Sequence, residues 1–248
     1  MKKRIMTLAL LVAAVLLISG CSTGQTMTNA SKDRQVRAGE EADGQKETEE
    51  DVLVLAYPKD LGDMNPHTMT SPMYAQDWVY DGLTALVNGE IVPELAESWE
   101  ISGDGKQYIF HLRKGVKFSD GSDLTAELVS KNIQDVIDNK EGYTFLQCLE
   151  EITSMEVPDK DTLVMHLAHP CNSLLSDLSF NRPLVIAGEA AFPDSGSIYR
   201  DGVKKPIGTG MWTVKEVVQD QYTLFARNPY YWGEKPSFSY VRVEVIPE

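Results

Sequence analysis

Cysteine is scarce in this chain: 3 in 248 residues, at positions 21, 148 and 171. No Cys-x-x-Cys pair occurs, and no histidine stands beside a cysteine, so thiolate zinc sites of the usual spacing are excluded. Histidine is nearly as rare, with 4 residues. Basic charge is also short, 23 Lys and Arg against 37 Asp and Glu, for a net charge of −14. That deficit argues against a nucleic-acid partner, which needs clustered cations on phosphates, and against electrostatic binding to anionic lipid. Catalytic signatures are missing as well. There is no Gly-x-Ser-x-Gly elbow, no phosphate-binding glycine loop, no His-Glu-x-x-His and no EF-hand loop. With 42% hydrophobic and 24% charged residues, the composition is that of a globular protein of one or two domains.

Long apolar runs are confined to the first residues. Lys2, Lys3 and Arg4 precede Ile5 to Ile18, followed by Ser19, Gly20 and Cys21. A charged start, an apolar run too short to span a bilayer comfortably and a small-residue cleavage site describe a signal peptide over residues 1–20. Ile18-Ser19-Gly20-Cys21 resembles a bacterial lipobox, which makes Cys21 the lipidated residue; the alternative is a plain N-terminal anchor helix. Loss of the three leader cations takes the charge from −14 to −17. Residues 21–50 are rich in Ser, Thr, Gln, Gly and charge without apolar periodicity, and read as the lipidated cysteine with a flexible tether. The expected location is extracytoplasmic, lipid-anchored to the bacterial cell membrane.

From Asp51 onward the pattern changes. Val52 to Ala56 is a continuous apolar run, expected as a buried strand of a parallel sheet. Met73 to Leu83 carries apolar residues at helical spacing. Ser98 to Ile101 and Tyr108 to Leu112 flank Ser102-Gly103-Asp104-Gly105 and predict a hairpin. Phe118 to Gly121 is a turn, and Thr125 an N-cap ahead of a helix through Leu128, Ile133 and Ile137. A second hairpin joins Ile152–Val157 to Thr162–Leu167, with a short helix at Ser173–Leu178 after it. Met211–Val217, Tyr222–Arg227 and Tyr240–Ile246 read as strands. The class is mixed α/β, with hairpins between strands.

Several residues invite a chemical role. Gly208-Thr209-Gly210 is too short for a phosphate cradle and precedes a strand, so a tight turn of small residues is expected. His166 and His169, three apart on a strand, face opposite sides and cannot converge on one metal. His67 lies in a proline-flanked loop, where it is either a candidate metal ligand or a structural histidine. Arg182, in Phe180-Asn181-Arg182-Pro183, has no acidic residue adjacent; its planar fork suits a solute carboxylate or a distant internal acid. Cys148 and Cys171 either pair, in a bridge worth roughly 3 kcal/mol for a loop of that size, or are two small buried hydrophobes. The tryptophans at 78, 99, 212 and 232 are mostly core or hinge anchors.

Met64-Asn65-Pro66-His67, Val92-Pro93-Glu94-Leu95-Ala96-Glu97-Ser98-Trp99 and Phe110 to Gly121 resemble the peptide/nickel family of ABC-transporter solute-binding proteins. So do Pro206 to Gly210, Arg227-Asn228-Pro229-Tyr230-Tyr231-Trp232 and Val245-Ile246-Pro247. Leu61 to Tyr80, Asn181-Arg182-Pro183 and Trp232 to Pro236 lean toward the nickel-binding branch. The resemblance implies an α/β fold, periplasmic-binding-protein-like (type II, peptide/nickel-binding class). Residues 51–248 would be its N-terminal portion, residues 95–200 within them an inserted hairpin-rich subdomain, and the C-terminal lobe would be missing. It implies a monomeric, non-enzymatic receptor that hands nickel, held as a chelate with a small organic molecule, to an ABC permease and ATPase, with no intrinsic cofactor. By position Arg182 matches a carboxylate-binding arginine and Met73 a pocket methionine, while Met69 and Phe145 stand where aromatic residues line the pocket. Gly142 stands where some nickel binders place a second arginine, and Met211 where the family has proline. Losing one guanidinium fork would weaken recognition of a polycarboxylate chelator by about 1.5–3 kcal/mol.

A short peptide or another metal complex fits the same resemblance. Readings of other classes are a secreted metal-dependent hydrolase, which needs converging His and carboxylate ligands, and an adhesion or sensor lipoprotein on the same scaffold.

Overall fold

The computed structural model describes residues 51–247. The signal peptide at 1–20, Cys21 and the tether at 21–50 lie outside the described residues. No helix among the described residues is long and apolar enough to cross a membrane.

Two four-stranded sheets carry the fold. In the first, β1 (Val52–Tyr57) lies parallel to β10 (Tyr240–Val245), followed by β9 (Tyr222–Arg227) and β8 (Trp212–Val218) as antiparallel neighbours. The parallel pairing is as expected from the apolar run, but burial is not. β1 has one neighbour only, so it is an edge strand, half-buried with Val54 58% exposed.

The second sheet has the order β4-β5-β7-β6, built from Ala96–Ile101, Gln107–Leu112, Thr162–Leu167 and Ile152–Asp159. Its strands lie in sequence between β1 and β8. β5 alternates strictly, with Tyr108, Phe110 and Leu112 turned into the core. Both expected hairpins are present. A third, β2 (Thr84–Val87) with β3 (Glu90–Pro93), turns through Asn88 and Gly89, both at positive φ. Asn-Gly is the residue pair that such a turn favours.

Helix α1 (Met73–Val79) is shorter than its apolar spacing predicted, because the chain turns extended at Tyr80. There the helix meets the Gly208–Gly210 backbone: the Gly210 amide donates to the Val79 carbonyl at 3.0 Å. A Cβ on Gly208 would run into that same carbonyl. These glycines have no positive φ; they are small because two backbones meet, which corrects the tight-turn expectation. Helix α2 (Ala126–Ile137) starts at Thr125, whose hydroxyl accepts the Leu128 amide at 3.3 Å. Its inner face, Leu128, Val129, Ile133 and Val136, packs toward β6 and β7. Two single-turn helices follow, α3 (Leu174–Asp177) and α4 (Ile198–Asp201). Phe110 and Leu163 of one sheet share a single hydrophobic cluster with Phe225 and Val241 of the other.

Candidate functional site

Arg182 stands where the loop after α3 meets the loop before α1. Its Nη1 donates to the carbonyls of Met69, at 3.1 Å, and of Ser71. Among the described residues no carboxylate pairs with it, so the remaining guanidinium edge faces no internal acid. Beside it lie Met69, 44% exposed, and Phe180, 40% exposed, whose ring is 5.9 Å from that of Phe145, 45% exposed. Large apolar side chains in water next to a guanidinium form a surface suited to a small organic anion. Arg182 thus joins the Met69 loop, and Phe145 meets Phe180, two residues before Arg182 in sequence; together they form the candidate wall. Met73 opens α1 two residues beyond Ser71, and its side chain lies outside the described residues.

Under this wall runs a feature that the residue types did not suggest. Asp77, Glu94, Tyr80, Leu86 and Phe180 line a cleft of about 420 Å³. Asn181 Nδ2 donates to Asp77 Oδ2 at 3.2 Å, and the Gly82 amide donates to Glu94 Oε2 at 2.9 Å. Behind them Asp81 is buried, and its Oδ2 accepts from the Thr209 hydroxyl at 2.8 Å and the Trp232 indole N–H at 2.9 Å. Arg113 lies 4.5 Å from the centre of the Trp232 ring and donates from Nε to the Glu94 carbonyl. Thr209 and Trp232 thus close on the Asp81 carboxyl directly, while Arg113 bridges the Trp232 ring and the Glu94 carbonyl. Burial pushes up the carboxyls of Asp77 and Asp81. Burial, with the charge of Asp81 beside it, pushes Glu94 up to about 8. The signal for this joint was present only as a set of separate motifs.

Of the two roles expected of His67, the structure supports the structural one. His67 is fully buried, with Nδ1 2.7 Å from Asp135 Oδ2 and Nε2 3.0 Å from Asn132 Oδ1. Asn132 has its own orientation fixed, since its amide nitrogen donates to the Leu128 and Ala187 carbonyls and its oxygen accepts the Ala187 amide. Burial raises the Asp135 carboxyl, but hydrogen bonds from His67, Ser197 and the Tyr199 amide outweigh it and hold the group below its usual value. Both ring nitrogens of His67 are therefore engaged by side chains, and none is left for a cation. His169 falls beyond β7 and is exposed, paired with Glu151 at 2.9 Å, while His166 faces Glu156 at 3.3 Å. The expected divergence holds, though only one of the two is on the strand. No group of three or more His, Cys, Asp or Glu among the described residues converges on a metal position.

Cys148 and Cys171 are bonded to one another, with Cα atoms 5.7 Å apart. A Cβ on Gly142 would come within 2.9 Å of the Tyr199 hydroxyl, so Tyr199 occupies the space that a longer side chain there would need. Trp78 packs edge-on against Tyr74 and Phe225, Trp212 is buried, and Trp232 anchors Asp81.

Comparison with known proteins gives this arrangement its context. Residues 90–248 match the family described as bacterial extracellular solute-binding proteins, family 5 middle. The chain belongs to that family. It is 36% identical over 200 residues to the nickel-binding periplasmic protein of Escherichia coli (strain K12), covering 80% of this chain and 38% of that protein. It is 29% identical over 181 residues to the dipeptide-binding protein of the same organism, covering 64% of this chain and 33% of the relative. Among solved structures, NikA from Brucella suis in complex with Fe(III)-EDTA superposes with a TM-score of 0.76 at 37% identity, over 79% of this chain and 40% of that one. The fold is thus that of a partial periplasmic-binding protein, and the chain spans about two-fifths of the length of the relatives it matches. The relatives are binding proteins, not enzymes.

Proposed function

We propose that this chain is the solute-contacting portion of an extracytoplasmic receptor for an ABC importer, and that its solute is a nickel ion held in a small carboxylate-bearing chelate. The observation that carries the reading is Arg182: a guanidinium with no acid partner among the described residues, held by two backbone carbonyls between Met69 and Phe180. A planar fork held by carbonyls keeps its free edge for a carboxylate, while Met69, Phe145 and Phe180 offer contact to the organic part of the chelate. By position, Met73 is the pocket methionine of this reading. The nickel is cargo, and the chain holds it through the chelator. A second lobe, for which the matched relatives have chain length, would close over the wall, bury the solute and create the surface that the permease reads. Cys21 would carry the lipid that holds the receptor, as a monomer, at the membrane.

Calorimetric titration with nickel(II)–L-histidine should give heat, and Arg182→Gln should weaken binding by about 10- to 100-fold, the loss of one charged hydrogen-bonded contact. Absence of heat with any metal complex would sink the nickel reading. A short peptide is the second reading, favoured by the likeness to a dipeptide-binding protein and by Asp77 and Glu94, two carboxyls lining the adjacent cleft where an ammonium group could sit. Heat with dipeptides alone would select it.

A further inference from the structure

The aromatic part of the wall is built on two stretches that belong to no sheet, residues 143–149 and 171–182. Within each, short turns close the backbone: Leu146 to Tyr143 and Leu149 to Leu146 in one, Leu178 to Leu174 and Phe180 to Asp177 in the other. Among the described residues no backbone hydrogen bond joins the two. Phe145 and Phe180 both keep a large exposed part, so burial alone does not fix their contact. Leu146 and Leu149 of one stretch and Leu174 and Leu178 of the other are buried in the same apolar cluster; the specific links across the gap are the disulfide between Cys148 and Cys171, the hydrogen bond from the Cys148 amide to Asp177 Oδ2 at 3.1 Å and the approach of Cys148 Sγ to Ser173 Oγ at 3.2 Å. Cys148 is fully buried. The Cys171 end is tied to the second sheet by the Tyr108 hydroxyl, which donates to the Cys171 carbonyl at 3.1 Å.

We propose that the Cys148–Cys171 disulfide is a positioning element of the solute wall: it holds the 143–149 stretch against the 171–182 stretch, and so sets Phe145 on Phe180 beside Arg182. The inference rests on the reading of that wall as the solute site. A sheet edge would supply a ladder of hydrogen bonds for this purpose; two loops have none, and a covalent link replaces it. Cys148 lies three residues from Phe145, and Cys171 is joined to Phe180 through α3, so freedom gained at the sulfurs passes to the rings. Cys171 is only half-buried, which leaves its sulfur open to attack. A dithiol reductant would open the link in two steps. Its thiolate bonds to the Cys171 sulfur and expels Cys148 as a thiolate, which takes up a proton. The second thiol then displaces Cys171, leaving two cysteines and the oxidised dithiol.

Hydrogen–deuterium exchange on the full chain, oxidised against dithiothreitol-reduced, tests the positioning without any solute. The amides of 143–149 and 171–182 should exchange about fivefold faster or more after reduction, while β5, β7 and α2 stay unchanged. No change in the two stretches, or an equal rise everywhere, would overturn the proposal, the latter by assigning the bond to global stability. Titration with nickel(II)–L-histidine adds a functional readout, with reduction expected to raise the dissociation rate severalfold. In a Phe180→Ala variant with the bond intact, reduction should no longer change that rate; an undiminished effect would show that the bond does not act through the ring pair. If the Cys148→Ser/Cys171→Ser variant fails to fold, reduction of the folded wild type supplies the same measurement. Absence of heat with the nickel complex would count against the solute reading and leave the exchange result standing.

Discussion

Glu94 illustrates how one residue links a buried joint to solution conditions. Its carboxyl is pushed up to about 8 by burial, reinforced by the charge of Asp81, while the Gly82 amide pulls the other way. In the unfolded chain the same group titrates near the ordinary glutamate value of about 4.3. The folded state therefore binds the proton more tightly, and the stabilisation is complete below that value. It declines as pH rises, and is gone above about 8. Thermal melts should show the midpoint falling between pH 5 and pH 8.5, with each pKa unit of difference worth about 1.4 kcal/mol, or about 3–6 °C. Glu94→Gln, which cannot ionise, should flatten that decline. An identical slope in the variant would place the sensitivity on Asp77 or Asp81 instead, whose carboxyls burial also raises. At the same scale, His67 was legible as a loop residue, but its partners were not. They are Asp135 and Asn132, which are 68 and 65 positions away in sequence.

At the scale of elements, α2 is the part read most directly from local chemistry. Thr125 caps it, Glu127 stands in its first turn, and its apolar positions recur at three and four residues. Its first amide, that of Ala126, is also taken by the Lys160 carbonyl in the β6–β7 turn, so cap and hairpin reinforce one another. Thr125→Ala should cost about 1 kcal/mol, seen as a lower midpoint in urea with an unchanged slope, and Thr125→Ser should restore most of it. A Thr125→Ala midpoint equal to that of the wild type would mean that the Lys160 contact holds the helix start unaided. The end of α1 shows the opposite case. Its apolar spacing runs on to Leu83, but the helix stops at Val79 because its last carbonyls meet Gly208 and Gly210. The β2–β3 hairpin lies between these extremes: the Asn88-Gly89 pair announces its turn, while the strands beside it are four residues long, too short for periodicity alone to reveal.

For the whole molecule, the two sheets share one apolar cluster, which joins Phe110 and Leu163 to Phe225 and Val241. Trp99 belongs to the second sheet and Trp212 to the first. If the cluster is one cooperative unit, near-ultraviolet circular dichroism and single-tryptophan fluorescence at positions 99 and 212 should report one coincident unfolding transition. Separate midpoints for the two tryptophans would show that the segment carrying β4 to β7 melts by itself.

By itself the sequence determined the features that reside in short range. These are the hairpin turns, the cap of α2, the mixed α/β class, the absence of catalytic signatures, and, through ordered motifs, the family. Each depends on residues within a few positions of one another, or on recurring strings that survive without their surroundings. Tertiary structure alone decided the rest. It closed Cys148 on Cys171, set Thr209 and Trp232 on Asp81 with Arg113 over the Trp232 ring, and gave Arg182 two carbonyls in place of an acid. Those outcomes depend on which distant loops the core brings within hydrogen-bond distance, and on the field that burial creates there. Neither quantity is written in any single stretch of the chain.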